Sequence, residues 1–314
     1  FKKDTKDMLM ERPIPLYVGS GSPLSNVGTL TNQGIELEVG YKLSVDKVNL
    51  SFLANASYVK NEIKNLGNQT GYIDKESLPT LGTVSRNQNG YPIGYFFGYK
   101  AIGVFQTQEE IDNYISPATG KPIQPNAVPG DTKFEDLNGD GVISDDNEDR
   151  TMIGKPNPDW IVGLTVAADW NGFDLSAFFQ GSFGADVFDA LRRYELAAVN
   201  YTSDALERWT GPGTSNSMPR IVLGDTPKNF RPSTLLVHDA SFLRLRNLQV
   251  GYTLPAQLTR KAYIQRLRFY ASFDNLLTIT GYKGMDPEIG STMGIDKGVY
   301  PQARVYTFGL NLTF

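Results

Sequence analysis

The 314-residue sequence has no cysteine and a single histidine, His238. Without cysteine there are no disulfide bonds and no thiol chemistry, and one histidine argues against a histidine-based metal site or catalytic triad. No run of about 18 apolar residues occurs, so no transmembrane helix is predicted. The formal net charge is -4, and no basic stripe of the kind that nucleic acid requires is present, so no nucleic-acid partner is predicted.

The sequence is instead rich in aromatic residues and glycine, and its last nine residues, YTFGLNLTF (306–314), alternate strictly. Successive side chains of a β-strand point to opposite faces. One face of this strand therefore carries Tyr306, Phe308, Leu310, Leu312 and Phe314. Such a face packs against a second sheet in a soluble sandwich, or against lipid in a membrane barrel whose other face lines a polar lumen.

The same alternation recurs along the chain and predicts an all-β protein. It covers segments 35–43, 48–58, 162–170, 173–183 and 267–273. Asn171-Gly172 is a strong signal for a tight hairpin. Segment 242–254 changes phase, and a β-bulge near Arg246-Asn247 would restore one apolar face.

The predicted connections alternate between short and long, which is typical of outer-membrane barrels. Short turns fall near 44–47, 171–172 and 255–265, and the long segments are 5–29, 63–80, 106–157, 185–239 and 280–303. If all long segments lie on one side, a return strand at about 81–90 must precede an outward strand at 94–106, with a turn at 90–94. This gives about nine to ten strands, including a stub at residues 1–4.

The chain begins at Phe1 and shows no signal peptide. We therefore expect residues 1–314 to be the C-terminal part of a longer protein, whose missing strands precede this segment.

Several motifs together resemble the SusC/RagA-like TonB-dependent outer-membrane transporters of Bacteroidetes. They are NVGTLTNQGIELEVGY (26–41), YPIGYFFGYKAIGVFQT (91–107), FEDLNGDGVISDDNEDRTMIGKPNPDW (134–160), GFDLSAFFQGSFGADVF (172–188), ASFLRLRNLQVGYTLP (240–255), FYASFDNLLTITGYKGMDPE (269–288) and YPQARVYTFGLNLTF (300–314). The resemblance implies the C-terminal part of a 22-stranded antiparallel transmembrane barrel, filled in the family by a plug. It also implies long extracellular loops with short helices, a SusD-like surface lipoprotein as lid, and energy from the TonB complex. Plug and N-terminal strands are not in this chain.

One motif predicts a metal site. Residues 136–144 follow the calcium-loop spacing D-x-N-x-D-G, in which side-chain oxygens at positions 1, 3 and 5 and the carbonyl of position 7 bind a hard cation. The twelfth position is Asn147 rather than an acid, so a two-residue insertion is needed to supply the last carboxylate. The predicted structural Ca²⁺ ligands are Asp136, Asn138, Asp140, Val142 and Asp149, with Asp146 and Glu148 as rivals for the last position. The alternative is a solvated acidic turn without metal.

Other candidate residues have simpler interpretations. Glu36 and Glu38 share one strand face and are expected to line a lumen rather than to form a catalytic pair. The arginines at 244, 246, 266 and 268 are expected to lie near rims or to pair with lumenal acids rather than to bind anionic substrate. Trp209, Tyr194 and Tyr201 are expected to pack within loops or contact the lid rather than stack on sugars. Segment 186–199 has helical character, and His238 is given no role.

Three functional hypotheses follow. The first is a non-enzymatic importer of a glycan or peptide across the outer membrane, anchored in lipid. The second is a soluble secreted β-sandwich, a carbohydrate-binding module with a calcium loop. The third is a secreted glycosidase, which would need two carboxylates about 5–10 Å apart in a cleft.

Overall fold

The computed structural model describes residues 1–11, 24–145, 147–196, 198–289 and 293–314. Its strands, numbered in chain order, are β1 Lys2–Glu11, β2 Leu24–Val45, β3 Val48–Asn65, β4 Tyr72–Asp74, β5 Ser77–Leu78, β6 Gly82–Thr83, β7 Ser85–Gln88, β8 Tyr95–Tyr99, β9 Ala101–Val104, β10 Thr132–Phe134, β11 Arg150–Gly154, β12 Trp160–Trp170, β13 Phe173–Phe183, β14 Asp186–Asp189, β15 Val237–Asp239, β16 Phe242–Thr253, β17 Arg266–Thr280, β18 Ile295–Asp296 and β19 Val305–Thr313. The α-helices are α1 Gln108–Asp112 and α2 Ala256–Thr259, and 3₁₀ turns cover Ser203–Glu207, Leu223–Asp225, Thr234–Leu236 and Arg260–Ala262. The prediction of an all-β fold is confirmed.

Eight of these strands form one antiparallel sheet, which we call the main sheet. Its order is β1-β2-β3-β12-β13-β16-β17-β19. The turn between β12 and β13 is Asn171-Gly172, and both residues have positive φ (48° and 88°), as a type I′ hairpin requires. The predicted bulge is confirmed, because Arg246 is skipped in the pairing of β16 with both β13 and β17.

From β2 to β19 the strand register aligns apolar residues on one side of the main sheet, the apolar face. One such row contains Tyr41, Phe52, Val166, Ala177, Leu248, Phe273 and Tyr306. Many side chains of the apolar face are exposed, and the exposed fraction reaches 72% at Ile35 and 76% at Phe308. In the described part of the chain, therefore, no second sheet covers the apolar face.

Aromatic side chains mark both ends of the apolar face. At one end Trp160 lies between Tyr58 and Phe183 in register, with 5.1 Å between the Trp160 and Tyr58 ring centroids. At the other end Trp170 stacks on Phe173 at 6.1 Å, and Phe173 contacts Tyr252 at 4.4 Å. The two aromatic rows are separated by the length of β12.

Among the connections for which the structure describes residues, the short ones lie at one end of the main sheet and the long ones at the other. The antiparallel order places the turns at 46–47, 171–172 and 254–265 together, opposite the segments 66–159, 184–241 and 281–304. The predicted sorting by length is confirmed for these connections. The predicted long connection at 5–29 is not, because β1 continues past the predicted stub at 1–4 to Glu11, β2 begins at Leu24, and residues 12–23 lie outside the described residues. We call the described residues of the three long segments the loop layer.

The prediction of main-sheet strands at 81–90 and 94–106 is wrong. The turn at 90–94 exists, but it joins β7 to β8 in a separate four-stranded sheet, while β3 pairs directly with β12. All five residues of β8, YFFGY, are buried. A run that is apolar on both faces suits a strand covered on both sides, not one with a polar face. The main sheet therefore has eight described strands rather than nine to ten.

The hydrophobic core of the described residues lies in the loop layer. Its largest cluster is formed by Leu78, Val84, Phe96, Phe188, Ala190, Leu236 and Ile295, which come from all three long segments. The segment predicted as helical, 186–199, begins instead as strand β14, which pairs with β15 and β18. None of the helices in the described ranges has the length and apolar composition of a membrane-spanning helix.

Candidate functional site

The first candidate site lies where the loop layer folds onto the polar face of the main sheet. Arg244 is 2% exposed; it donates to Asp286 at 2.5 Å and to Glu288 at 3.0 Å. Arg246, placed by the bulge, donates to the same Glu288 at 2.6 Å and to Gln180 at 2.7 Å. Two sheet arginines therefore hold segment 281–304 against the polar face.

The electrostatics of Asp286 agree with this role. Burial alone would raise its pKa, but donors from the backbone of Gln302 and Glu288 and from Arg244 outweigh it and hold the pKa below its usual range. The carboxylate therefore stays ionised against a buried guanidinium. Sequence reasoning missed Asp286 and Glu288, because nothing local connects them to strand residues about 40 positions away.

The other charged residues of the polar face behave largely as predicted. Arg268 of β17 reaches across β16 and donates to Asp174 of β13 at 2.9 Å, so the expected pairing with acids is confirmed for three of the four arginines. Arg266 is exposed, as are Glu36 and Glu38, two neighbours on the polar face of β2.

The predicted calcium loop is a tight turn at the surface of the loop layer. Both carboxylate oxygens of Asp136 accept backbone N–H groups, from Gly139 at 2.8 Å and Gly141 at 2.9 Å. The amide of Asn138 lies 3.0 Å from Asp140 and 2.9 Å from Glu148. The side chains at positions 1, 3 and 5 thus share one exposed turn, with Glu148 beside them.

Asp149, chosen from the sequence as the last ligand, lies on the buried side of this loop. It is 0% exposed and accepts from the backbone N–H groups of Leu137 at 3.1 Å and Ser144 at 3.0 Å. Val142 is exposed, and Asp146 lies outside the described residues. Across the described ranges, no group of three or more histidine, cysteine, aspartate or glutamate side chains is placed to hold a metal ion. The calcium site stays a prediction, and Asp149 already closes the loop through hydrogen bonds.

The aromatic candidates pack within the loop layer. Tyr194 is 1% exposed and lies 4.7 Å from the Phe230 ring, while Tyr201 is 48% exposed beside it. The Trp209 indole donates to Gln106 at 3.2 Å. The predicted loop packing is therefore confirmed for Tyr194 and Trp209.

His238, which received no role, lies 3.7 Å from Asp189. Burial lowers its pKa, and Arg192 nearby lowers it further. The imidazole is therefore neutral near pH 7.

The loop layer also contains a series of alternating arginine and aromatic side chains that sequence reasoning missed. Arg86 lies 4.0 Å from the Tyr72 ring and 3.6 Å from Phe97. Arg150 lies 4.3 Å from Phe97, and Arg231 follows, 4.8 Å from Tyr99 and 4.9 Å from Phe134. Alternate residues of β8 supply Phe97 and Tyr99, so its period of two was the available signal, although it does not identify the partners.

Comparison with known proteins gives relatives along the whole chain. TonB-dependent receptor P3 of Formosa agariphila is 33% identical over 326 residues, covering 99% of this chain and 31% of that receptor. TonB-dependent receptor SusC of Bacteroides thetaiotaomicron is 30% identical, covering 100% of this chain and 29% of that receptor. A solved structure of the RagAB peptide transporter superposes with a TM-score of 0.76 at 27% identity, covering 100% of this chain and 32% of that one. No family model matches the chain.

The antiparallel main sheet and these relatives define a class: the chain is similar over its whole length to part of the TonB-dependent receptors. More closely, it is homologous over its whole length to receptors of the SusC/RagA-like kind, which confirms the resemblance carried by its motifs. The chain spans about a third of the length of the curated relatives it matches. These relatives are named receptors or transporters, which agrees with a non-enzymatic role.

Proposed function

We propose that this chain is the C-terminal part of a transmembrane β-barrel that imports a large nutrient across the Gram-negative outer membrane. No bond is broken in this process. The apolar face contacts lipid, the polar face lines the lumen, and the loop layer lies on the extracellular side.

The observation that carries the proposal is the height of the apolar face. Trp160 and Trp170 face the same side, ten residues apart on β12. At about 3.3 Å per residue they are about 33 Å apart along the strand. A strand tilt of about 40° reduces this to about 25 Å along the barrel axis, which is the height of the apolar band between the aromatic girdles of outer-membrane barrels.

The sorted connections support the orientation. Barrels of this class have short periplasmic turns and long outer loops, so the turn at Asn171-Gly172 would be periplasmic and the loop layer extracellular. The polar face carries the Arg268–Asp174 pair, and a charged pair suits a water-filled lumen rather than lipid.

The partners and cargo are proposed from the relatives. A plug preceding this segment would contact the TonB complex, and a SusD-like lipoprotein would cover the loop layer as a lid. One similar structure is a peptide transporter, and the resemblance carried by the sequence motifs implies a glycan or a peptide, so we propose a cargo of one of these two kinds.

The alternative, a soluble secreted calcium-binding β-sandwich, is less well supported. A sandwich packs its apolar face against a second sheet. In the described part of the chain, residues such as Leu37 and Val39 on that face remain 60% and 53% exposed.

Lipid contact can be tested with the three tryptophans of this chain. The full-length protein would be reconstituted into vesicles of lipids brominated near the glycerol, and Trp160→Phe, Trp170→Phe and Trp209→Phe compared. The first two variants should each lose quenchable fluorescence, because both side chains are placed at the membrane interfaces. The Trp209→Phe variant is the control, since Trp209 lies in the loop layer. The membrane assignment would be disproved if Trp209→Phe lost as much quenchable fluorescence as the other two variants, or if no variant lost any.

Import is tested separately. Cells that lack the protein should fail to grow on the polymeric nutrient while growing normally on its monomers. Growth on both would argue against import while leaving the lipid contact intact.

A further inference from the structure

Beyond import, we propose that a cleft in the loop layer binds an oxyanion, a carboxylate or sulfate group, through Arg231 and Lys228. The cleft has a volume of about 710 Å³ and lies between the loop at 141–143 and the turn at 226–231. Its volume is in the range of small-molecule sites. This inference rests on the side chains of the cleft and not on the transport function.

The guanidinium of Arg231 is fixed in place. It lies against the rings of Tyr99 and Phe134, at 4.8 and 4.9 Å from their centroids, and these two rings also contact each other at 5.7 Å. Its Nε donates to the backbone oxygen of Lys228 at 3.1 Å. A guanidinium held against two rings and by a backbone hydrogen bond loses little freedom when an anion binds to its remaining N–H groups.

One of those groups is buried without a hydrogen bond. Among the described residues, Nη1 of Arg231 has no hydrogen-bond partner. An unsatisfied buried donor costs free energy, and more so on a charged group. A ligand that accepts from this nitrogen would remove the cost.

A carboxylate of the chain itself already lies beside these two cationic side chains. The carboxylate of Asp145 is ion-paired with Lys228 and lies 4.0 Å from Nη1 of Arg231, beyond hydrogen-bond distance. The Asp145 side chain is 69% exposed. It is therefore a weak internal occupant, and an oxyanion placed closer to Arg231 would compete with it.

The remaining charges of the cleft favour an anion. Lys121 lines it and is exposed. The acid Asp131 also lines it, but it is already engaged by Arg220 at 2.6 Å and by Asn229 at 3.1 Å. Aliphatic side chains, Ile123 and Val142 among them, complete the walls, so the ligand would combine an oxyanion with a partly apolar body.

The test is isothermal titration calorimetry of the full-length protein in detergent with sodium sulfate, and separately with sodium acetate, at constant ionic strength. Saturable binding of one anion per chain is expected for at least one probe. Arg231→Gln should weaken binding by about tenfold or more, since it removes a charge-assisted hydrogen bond. Asp145→Asn should strengthen binding, because it removes the competing carboxylate.

Two further variants guard against misfolding and general charge effects. Lys228→Asn also weakens binding but suits the local backbone, because residue 228 has φ of 58° and asparagine tolerates that conformation. Lys100→Gln removes one charge outside the cleft, where Lys100 pairs with Glu135, and should leave binding unchanged. The proposal is overturned if neither probe binds saturably, or if Arg231→Gln and Lys228→Asn bind like the unchanged protein.

Discussion

Replacing Val39 with arginine tests whether the apolar face contacts lipid. Val39 is 53% exposed on the apolar face of β2, so the substitution creates no cavity and no overpacking. Val39 pairs with Ala54 of β3, and Ala54 pairs with Leu164 of β12. Leu164 lies four residues from Trp160 along β12. At about 3.3 Å per residue and a tilt of about 40°, this places Val39 about 10 Å inside the aromatic row.

The expected cost follows from that depth. An arginine on the lipid face near the bilayer midplane destabilises a barrel by about 2–4 kcal/mol, and near the interface by about 0–1 kcal/mol. Val45 lies on the same face of β2, in register through Val48 with Trp170, so Val45→Arg should cost little. Glu38→Arg, on the opposite face, should also cost little, because its neighbours are polar.

The measurement is denaturant unfolding of the full-length protein in lipid vesicles, with the folded fraction read from its mobility on unheated gels. Val39→Leu is the control for the change of side chain alone. If Val39→Arg costs no more than Glu38→Arg, the apolar face is not in lipid and the barrel assignment fails.

Three further predictions concern the loop layer. Asp286→Ala should loosen segment 281–289 from the main sheet and destabilise it by about 3 kcal/mol, because it removes one of the two carboxylates that pair with the buried Arg244. Hydrogen exchange of residues 281–289 reports this, and Glu207→Ala, in an exposed pair, should change exchange little. If the calcium loop binds its ion, Ca²⁺ should raise the melting temperature and Asp136→Ala should abolish that rise; an equal rise in both would place the ion elsewhere. Burial raises the pKa of Asp225 to about 6 from an ordinary 3.8. The contribution of this raised pKa to the free energy of unfolding is therefore complete below pH 3.8 and is lost as pH rises through about 6. Melting curves from pH 4 to 7 should show a fall in melting temperature, and Asp225→Ala should reduce that fall.

Much of the main sheet could be predicted from its local pattern, and the exceptions have a common cause. The alternation in 35–43 and 162–170 identified strands because a strand with one polar face repeats every two residues. Segment 94–106 was misassigned because β8 is buried on both faces and lacks that repeat. The requirement that all long connections lie on one side then placed the segments 81–90 and 94–106 in the main sheet, whereas β7 and β8 belong to the separate four-stranded sheet.

The candidate sites divide in the same way. The D-x-N-x-D-G spacing identified a tight acidic turn, since its hydrogen bonds join residues within five positions of one another. The role of Asp149 in closing that turn, and the contacts of Arg231 with Tyr99, did not follow from spacing. They depend on which distant segments pack together.

The sequence by itself determined the strand-rich fold, the hairpin at Asn171-Gly172, the bulge at Arg246 and the two-faced character of the main sheet. Each of these is encoded within a few neighbouring residues, by side-chain alternation or by backbone preference. The tertiary structure alone decided that Arg244 meets Asp286 across 42 residues, that β3 pairs with β12 across the whole 66–159 segment, and that Arg231 lies against two rings beside an open cleft. Those contacts form only when segments far apart in the chain are brought together, and their partners leave no local pattern in the sequence.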